Sequence, residues 1–442
     1  MNAHPKNYIS TKSIDNGSYG QIYPRIDDES IVVKQMNRFQ KSSFEHTSLM
    51  EIAFLKAHSH PNIINLVSYM VDDFSNKNKL SIQIPRAVMT LDAWTAKTDL
   101  ETRIKCLPSI IKQLLLPLEY LQDHFIVHGD LKPRNIVLFS ESSSSDVFPY
   151  TLKIIDWGNV IFDHRYTKHQ SCINCTYTYA APEIQHTLKI YHIHSINDIF
   201  SLGMTLRYVI TGVEMDRTVL EYQSQKRKTI DIDALSSAPL IRQIIADMLI
   251  VDHKKRLSAT QLLRKYFGHK RDEIVACNMS IDIDWTSPNN EALVFDHQPI
   301  VTKHHRKKTV GLLFNMCNDA HLLPVFMLSV TLLDRYTAFS TAFQSVHDYQ
   351  DKALAAFFLA SVLRNEFYTL EDVLEHSGFL LRSASKLKTC IDEMLKILNY
   401  NIWAETAETF YDEVDRESNW RAIKELCEQN VCGSLVQDNY DL

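Results

Sequence analysis

The chain has 442 residues, an apolar share of 45%, a charged share of 23% and a formal net charge of −6. That length supports two or three domains with cores of their own, in an ordinary globular composition. The acidic balance argues against a general nucleic-acid binder, which carries a basic excess. Apolar stretches such as Phe326–Leu333 are far too short to span a bilayer. The opening Met-Asn-Ala-His-Pro-Lys holds no apolar signal core, and the eight cysteines are scattered. The expectation is an intracellular protein, cytoplasmic or nuclear, with free thiols and neither nucleic acid nor membrane as partner.

In chain order, the first eighty-odd residues carry short β-like runs, Ile31-Val32-Val33 and Leu80-Ser81-Ile82-Gln83-Ile84, with one helical pattern between them at about residues 43–57. Helical periodicity then dominates from about 100 to 267, as in Ile110, Ile111, Leu114, Leu115, Leu118 and Leu121. The asymmetry predicts a small sheet lobe, 8–85, above a larger helical lobe, 86–268. Residues 140–146 form a polar, serine-rich loop. Residues 269–302 lose periodicity and read as a linker able to span roughly 30–35 Å as a flexible coil. Beyond it the pattern is wholly helical, with helices expected at 309–317, 323–336, 351–363, 370–376 and 385–398. Pro324 suits the first turn of the second of these.

The chemistry-bearing residues recur at ordered intervals. Asp15-Asn16-Gly17-Ser18-Tyr19-Gly20-Gln21-Ile22 is a glycine-containing turn, and Gly17 and Gly20 allow backbone N–H groups to approach phosphates. Lys34 closes the run Ile31–Val33, and Glu51 lies on the following helical pattern ahead of His60-Pro61-Asn62-Ile63. His128-Gly129-Asp130-Leu131-Lys132-Pro133-Arg134-Asn135 is followed by Asp156-Trp157-Gly158, Ala181-Pro182-Glu183, Asp198 and Arg256.

Over about residues 8–268 this set resembles the protein kinase family, of the cyclin-dependent type. The resemblance implies an α+β two-lobed fold and phosphoryl transfer from ATP, with Mg²⁺, to serine or threonine of a protein substrate. It implies that Gly17, Gly20, Ile22, Lys34 and Glu51 serve ATP, with Lys34 held by Glu51. Asp130 would accept the hydroxyl proton and Lys132 would neutralise the transferring phosphate. Asn135 and Asp156 would hold the metal, and Glu183, Asp198 and Arg256 would have structural roles.

Several positions depart from that pattern. A phosphorylated activation-segment residue, here Ser171, is usually caged by three arginines; the cage positions hold Met50, Gly129 and Ile161. Without arginine a phosphate adds mainly repulsion and desolvation. Phosphate on Ser171 is therefore expected to be dispensable, unless Arg165 substitutes. Ser18, Tyr19, Ser171 and Thr176 stand as candidate regulatory positions. Ala180 replaces an arginine common in proline-directed kinases, which puts a preference for Ser/Thr-Pro in doubt. His164, His169, Cys172 and Cys175 have a zinc-like mixture of ligands but tight spacing; free thiols are the expectation.

Residues 303–414 resemble a cyclin box, an all-α helical domain. The resemblance rests on Arg306, on Leu332-Leu333-Asp334-Arg335-Tyr336, on the run Lys352–Ser361 with its small residues and on Ile391–Ile402. A lysine and a glutamate that cyclins use to grip the kinase helix fall on Val362 and Ile391, and the kinase helix begins His46-Thr47-Ser48-Leu49-Met50. Both sides have become apolar, which implies an in-cis contact between kinase and cyclin box. Residues 415–442 are expected as a helical tail, too short for a second cyclin fold. His304-His305-Arg306-Lys307-Lys308 reads as a basic helix start or a nuclear signal. The expectation is a kinase carrying its own activator. A docking module for a separate kinase or substrate, and a pseudokinase scaffold, are the alternatives.

Overall fold

The computed structural model describes residues 13–17, 20–37, 39–40, 43–71, 79–140, 147–162, 165–167, 175–185, 191–223, 230, 232, 238–269, 298, 300–317, 322–340, 343–364, 366, 368–378 and 383–404. Ser18, Tyr19, Ser171, His164, His169, Cys172, most of the expected linker and the 415–442 tail lie outside them. The chain divides into two compact units, Met1–Phe39 with Glu45–Arg271, and Gln40–Phe44 with Asp272–Leu442.

The first unit opens with an antiparallel sheet of β1 (Asp15–Gly17), β2 (Gly20–Pro24), β3 (Ile31–Asn37), β4 (Ser68–Val71) and β5 (Lys79–Pro85), ordered β1-β2-β3-β5-β4. The β-branched run Ile31-Val32-Val33 suits a central strand, and β3 is buried from Ile31 to Lys34. Its register sets Lys34 opposite Ile22 on one side and Ile82 on the other. Helix α1 (His46–Ala57) follows β3 in sequence and is buried at every position from Ser48 to Leu55. A helix buried on all sides has no polar stripe to mark its start. It begins at His46, after an extended Glu45, rather than near residue 43.

The larger lobe is built on α3 (Leu100–Asp123), preceded by α2 (Leu91–Lys97). Asp99 caps α3 by accepting the Thr102 N–H. The stripe Ile110, Ile111, Leu114, Leu115, Leu118 and Leu121 is buried, and α3 packs on α4 (Ser195–Thr211) and α6 (Ala259–Phe267); α5 (Pro239–Met248) packs on α4. Two small antiparallel sheets carry the loops that matter. One joins β6 (Met89–Thr90), β8 (Ile136–Ser140) and β9 (Tyr150–Ile154); the other pairs β7 (Ile126–Val127) with β10 (Ile161–Phe162). The segment His128–Asn135 runs between β7 and β8, and Asp156 lies between β9 and β10.

The second unit is helical: α7 (Lys303–Met316), α8 (Leu323–Phe339), α9 (Val346–Leu363), α10 (Leu370–Ser377) and α11 (Ala384–Ile397). Helix α9 packs against the other four. Its Ala353, Ala355, Ala356, Ala360 and Ser361 are fully buried, small side chains that permit close approach of neighbouring helices. Arg306 on α7 clasps Asp334 on α8 through two bonds of 2.9 and 2.7 Å. Lys386 and Lys352 pair with Asp351 and Glu393 respectively, joining α9 to α11. The basic run from His304 to Lys308 forms the first turns of α7. The expected linker is shorter than its lack of periodicity suggests. Gln298 is buried and its amide donates to Thr337 O, at 3.2 Å, while Phe343 N–H donates to its Oε1. Residue 298 therefore packs with the helical unit. Among the described residues no helix is long and apolar enough to cross a membrane.

In the kinase-like unit, Glu183 meets Arg256 through paired bonds of 2.6 and 3.0 Å, and the guanidinium is fully buried. Backbone carbonyls of Ile196, Ile250 and Val251 also accept from Arg256, but they cannot neutralise it. Removing the carboxylate strands a buried cation, which costs about 3–5 kcal/mol. Glu183→Ala is thus expected to lower the thermal midpoint by roughly 10 °C in calorimetry. Glu101→Ala, which breaks an exposed pair with Lys105, is expected to leave it within about 1 °C, since exposed pairs contribute little.

Candidate active site

Three charged side chains from three elements meet in the interior. Lys34 Nζ on β3 lies 2.8 and 2.7 Å from the two oxygens of Glu51 on α1, and 2.9 Å from Asp156 Oδ1. The strand register holds Lys34 in the middle of the sheet, and the buried face of α1 presents Glu51 to it. Asp156 adopts a left-handed backbone, φ 69°, a conformation Asp tolerates better than most residues. Burial opposes the charge on Lys34, but the Glu51 and Asp156 carboxylates override it and raise its pKa. Burial, reinforced by the Asp156 charge, holds Glu51 above the usual carboxylate range. Burial also disfavours ionised Asp156, yet Lys34 more than offsets it and Asp156 sits below that range.

The segment between β7 and β8 supplies the second cluster. Asp130 Oδ2 accepts from Lys132 Nζ at 2.7 Å, and Asp130 Oδ1 accepts the Thr176 N–H at 2.7 Å. Lys132 Nζ also reaches Thr176 Oγ1 at 2.7 Å. Asp198 supports the segment from below, accepting the N–H groups of His128 and Gly129 at 2.6 and 3.1 Å. The Asp130 N–H donates to His128 Nδ1 at 3.2 Å, so the ring proton lies on Nε2, which donates to Ile155 O at 3.0 Å. One imidazole thereby ties Asp130 to the residue before Asp156.

Asn135 donates to Asp130 O at 2.8 Å, which leaves its amide oxygen as an acceptor. With the carboxylate of Asp156 it makes an all-oxygen pair. Such a pair fits Mg²⁺, which is commonly held by one or two protein oxygens together with nucleotide phosphates and water. Ile22 lies in register with both Asp15 and Lys34. At Gly20 an added Cβ would come within 2.6 Å of the Gln35 carbonyl oxygen, so its small size is required by the packing of β2 on β3 as well as by any phosphate above it.

The three arginine-cage positions form no basic cluster. Met50 and Ile161 are buried. Ile161 pairs with Val127 across β7 and β10, and Ile184 packs on both. Gly129 has φ +80°, and a Cβ there would lie 3.1 Å from Asn159 O and 3.6 Å from Ile161 Cδ1. Glycine adopts that backbone without the strain an arginine would carry. Thr176, read from the sequence as a regulatory position, sits instead on Asp130 and Lys132. Nothing in a threonine's identity distinguishes a hydroxyl anchored in a catalytic cluster from a phosphoacceptor. The indole N–H of Trp157, which donates to Ile154 O at 3.2 Å, was equally hidden because its partner is backbone. Of the zinc-like set, Cys175 alone is described; its thiol is free, and burial pushes it up to about 11.

A protein kinase domain model matches residues 8–267. The chain belongs to the protein kinase family. A model of the cyclin N-terminal domain matches residues 276–403, starting inside the segment expected as linker. A probable cell division protein kinase of Encephalitozoon cuniculi is 26% identical over 276 residues, covering 58% of this chain and 95% of that protein. Mitogen-activated protein kinase 13 is 25% identical in Bos taurus and 27% in Homo sapiens. The chain spans 63% and 54% of the length of those two relatives. The first unit is thus a protein serine/threonine kinase domain, and a cyclin domain follows it.

The raised Glu51 carboxyl gives the site a pH signature. As pH falls, Glu51 takes up a proton before ordinary carboxylates do, and the charge-assisted bond to Lys34 is lost while Asp156 stays ionised. The acid limb of kcat/KM is therefore expected to report a group above the usual carboxylate range. Glu51→Gln should lower kcat/KM by roughly 10²- to 10³-fold, the scale of breaking a buried charge pair, and flatten that limb. A variant that keeps the wild-type limb would show that another group controls it.

Proposed function

We infer that this chain phosphorylates serine or threonine hydroxyls of proteins with Mg²⁺·ATP, and that its own cyclin domain supports the active position of α1. The supporting observation is the Lys34–Glu51–Asp156 contact, complete within one chain. In a cyclin-dependent kinase the position of the helix bearing that glutamate is what an activator controls. Here Leu49 and Met50 on α1 are apolar, as are Val362 and Ile391, the positions where the cyclin resemblance places gripping side chains. An apolar contact in cis agrees with this exchange. Covalent attachment gives the activator an effective concentration around millimolar with no diffusional search.

In this reading Lys34 orients the α- and β-phosphates, with Glu51 fixing its direction. Asp130 orients the substrate hydroxyl and accepts its proton as the oxygen attacks the γ-phosphorus, the bond from that phosphorus to the β–γ bridging oxygen breaks and ADP leaves. Lys132 neutralises charge on the transferred group, and its bond to Thr176 holds it beside Asp130. Asn135 and Asp156 would hold Mg²⁺, and the bound ion would supply charge screening for the phosphate oxygens. Ala180 leaves the residue after the phosphoacceptor without an arginine-dependent preference for proline.

The test is phosphorylation of a serine-containing peptide by the full chain and by a chain ending at residue 268. The full chain should turn over without an added partner, and the shortened chain should lose most activity and regain it when residues 269–442 are supplied at high concentration. Equal activity of the two chains would remove the activator role and leave docking of another protein as the use of the cyclin domain. Transfer that survives Asp156→Asn would contradict the assigned catalytic centre.

A further inference from the structure

Asp130 and Lys132 can act on any hydroxyl brought to them, so choice among substrates falls to the side chains around them. Two residues beyond Lys132, Arg134 occupies the middle of the turn Pro133–Asn135. Lys132 and Asn135 are tied to Asp130, whereas 78% of the Arg134 side chain is exposed. The turn packs on α2 and α4, and α2 brings Asp92 beside it. Asp92 Oδ2 lies 3.4 Å from Arg134 Nε, longer than a charge-assisted bond. Asp92 Oδ1 is buried and has no partner among the described residues. The carboxylate thus meets only the inner edge of the guanidinium. Among the described residues neither terminal nitrogen of Arg134 is hydrogen-bonded.

Neighbouring charges are already engaged. Arg103 Nη1 donates to Val209 O at 2.8 Å, and Glu214 accepts from the Tyr179 hydroxyl at 3.1 Å. Lys132 is shared between Asp130 and Thr176. The half-buried phenol of Tyr208 on α4 lies among these groups. Burial raises its pKa, Asp92 and Glu214 add to the rise, and Arg134 and Arg103 oppose it. Arg134 differs from the other cations in presenting an open fork to solvent.

Its place in the chain sets what that fork can meet. Lys132 is extended, with φ −157° and ψ 166°. Two residues of such backbone span roughly 6–7 Å, about two positions of an extended peptide. The kinase resemblance sets Ala180 beside the residue after the phosphoacceptor, in the segment that reaches Asp130 through Thr176. Arg134 and α2 are left with the residues before it.

We propose that Arg134 is a specificity-determining residue: its open guanidinium fork selects protein substrates with an anionic side chain, carboxylate or phosphate, two or three residues before the serine or threonine. The inference rests on the kinase reading of Asp130 and Lys132. A planar fork matches two oxygens of either group. A substrate anion would displace only water, because Asp92 holds the opposite edge.

The experiment uses the full chain and peptides with one serine in an alanine-rich background. Asp, phosphoserine or Lys replaces alanine singly at each neighbouring position, and kcat/KM is read relative to the all-alanine peptide. Asp or phosphoserine two or three residues before the serine is expected to raise it by about 3- to 10-fold, between the worth of an exposed pair and of a bidentate one. Lys there should lower it. The two anions separate an acidic substrate sequence from one phosphorylated beforehand. Added salt should shrink the gain. Arg134→Gln should bring the Asp-to-Ala ratio to about 1, and Arg134→Glu should invert the preference towards Lys at the same position. These are ratios within one protein, so a general structural loss does not imitate the exchange. If neither variant folds, Arg134→Lys keeps the charge without the fork and must reduce the gain. A gain that these variants retain, a wild-type ratio near 1 at every preceding position, or a wild-type preference for Lys overturns the proposal. No transfer to any peptide would overturn the assigned catalytic centre together with it.

Discussion

The buried contact among Lys34, Glu51 and Asp156 is the constraint on which the rest of the kinase domain depends. One cation and two carboxylates sit where water is largely excluded, with Glu51 4% and Lys34 10% exposed at the side chain. Each charge is tolerable only because the others are within hydrogen-bond reach. The contact therefore exists only when β3, α1 and the metal loop are all in place. Displacement of α1 would leave Lys34 with Asp156 alone and Glu51 with no cation. The buried face of α1, the register of β3 and the left-handed turn at Asp156 all serve that single junction.

Around it, packing occupies the positions where the family resemblance places a phosphate-binding arginine cage. Ile161 against Val127 and Ile184 makes a dry contact between β7 and β10, where an arginine would otherwise need a phosphate partner. Gly129 relieves the backbone at the turn before Asp130, and the Trp157 ring after Asp156 packs on Phe54 of α1 and on His128. Such contacts require no modification to form. The proposed activation in cis would rest on proximity and burial rather than on added charge, in keeping with the apolar side chains at these positions and at Leu49, Met50, Val362 and Ile391.

Much of this arrangement was legible in the amino-acid order. The helical content of the second unit is legible, and the structure begins α8 and α10 at Leu323 and Leu370 and ends α9 at Leu363, while α9, buried almost all round, starts at Val346 rather than at 351. The ordered spacing of Lys34, Glu51, Asp130, Asn135, Asp156, Glu183 and Arg256 indicated the kinase fold before any geometry. What stayed hidden has a physical explanation in each case. The start of α1 is obscured because the helix is buried all round. Gln298 belongs to the helical unit through hydrogen bonds of its side-chain amide with the backbone of Thr337, Ser340 and Phe343, which leave no periodic trace. Thr176 and Trp157 act through bonds to Lys132, Asp130 and a carbonyl, and side-chain identity alone does not announce such partners.

The central claim is that the closed Lys34–Glu51–Asp156 centre belongs to the single unmodified chain. The most direct test is the initial rate of peptide phosphorylation by phosphatase-treated full chain carrying Ser171→Ala, with the absence of phosphate verified by mass spectrometry. The account predicts linear product formation without a lag and a rate per molecule that stays constant as the chain is diluted. Activity that appears only after phosphate is incorporated, or only when a separate activating protein is added, would contradict it.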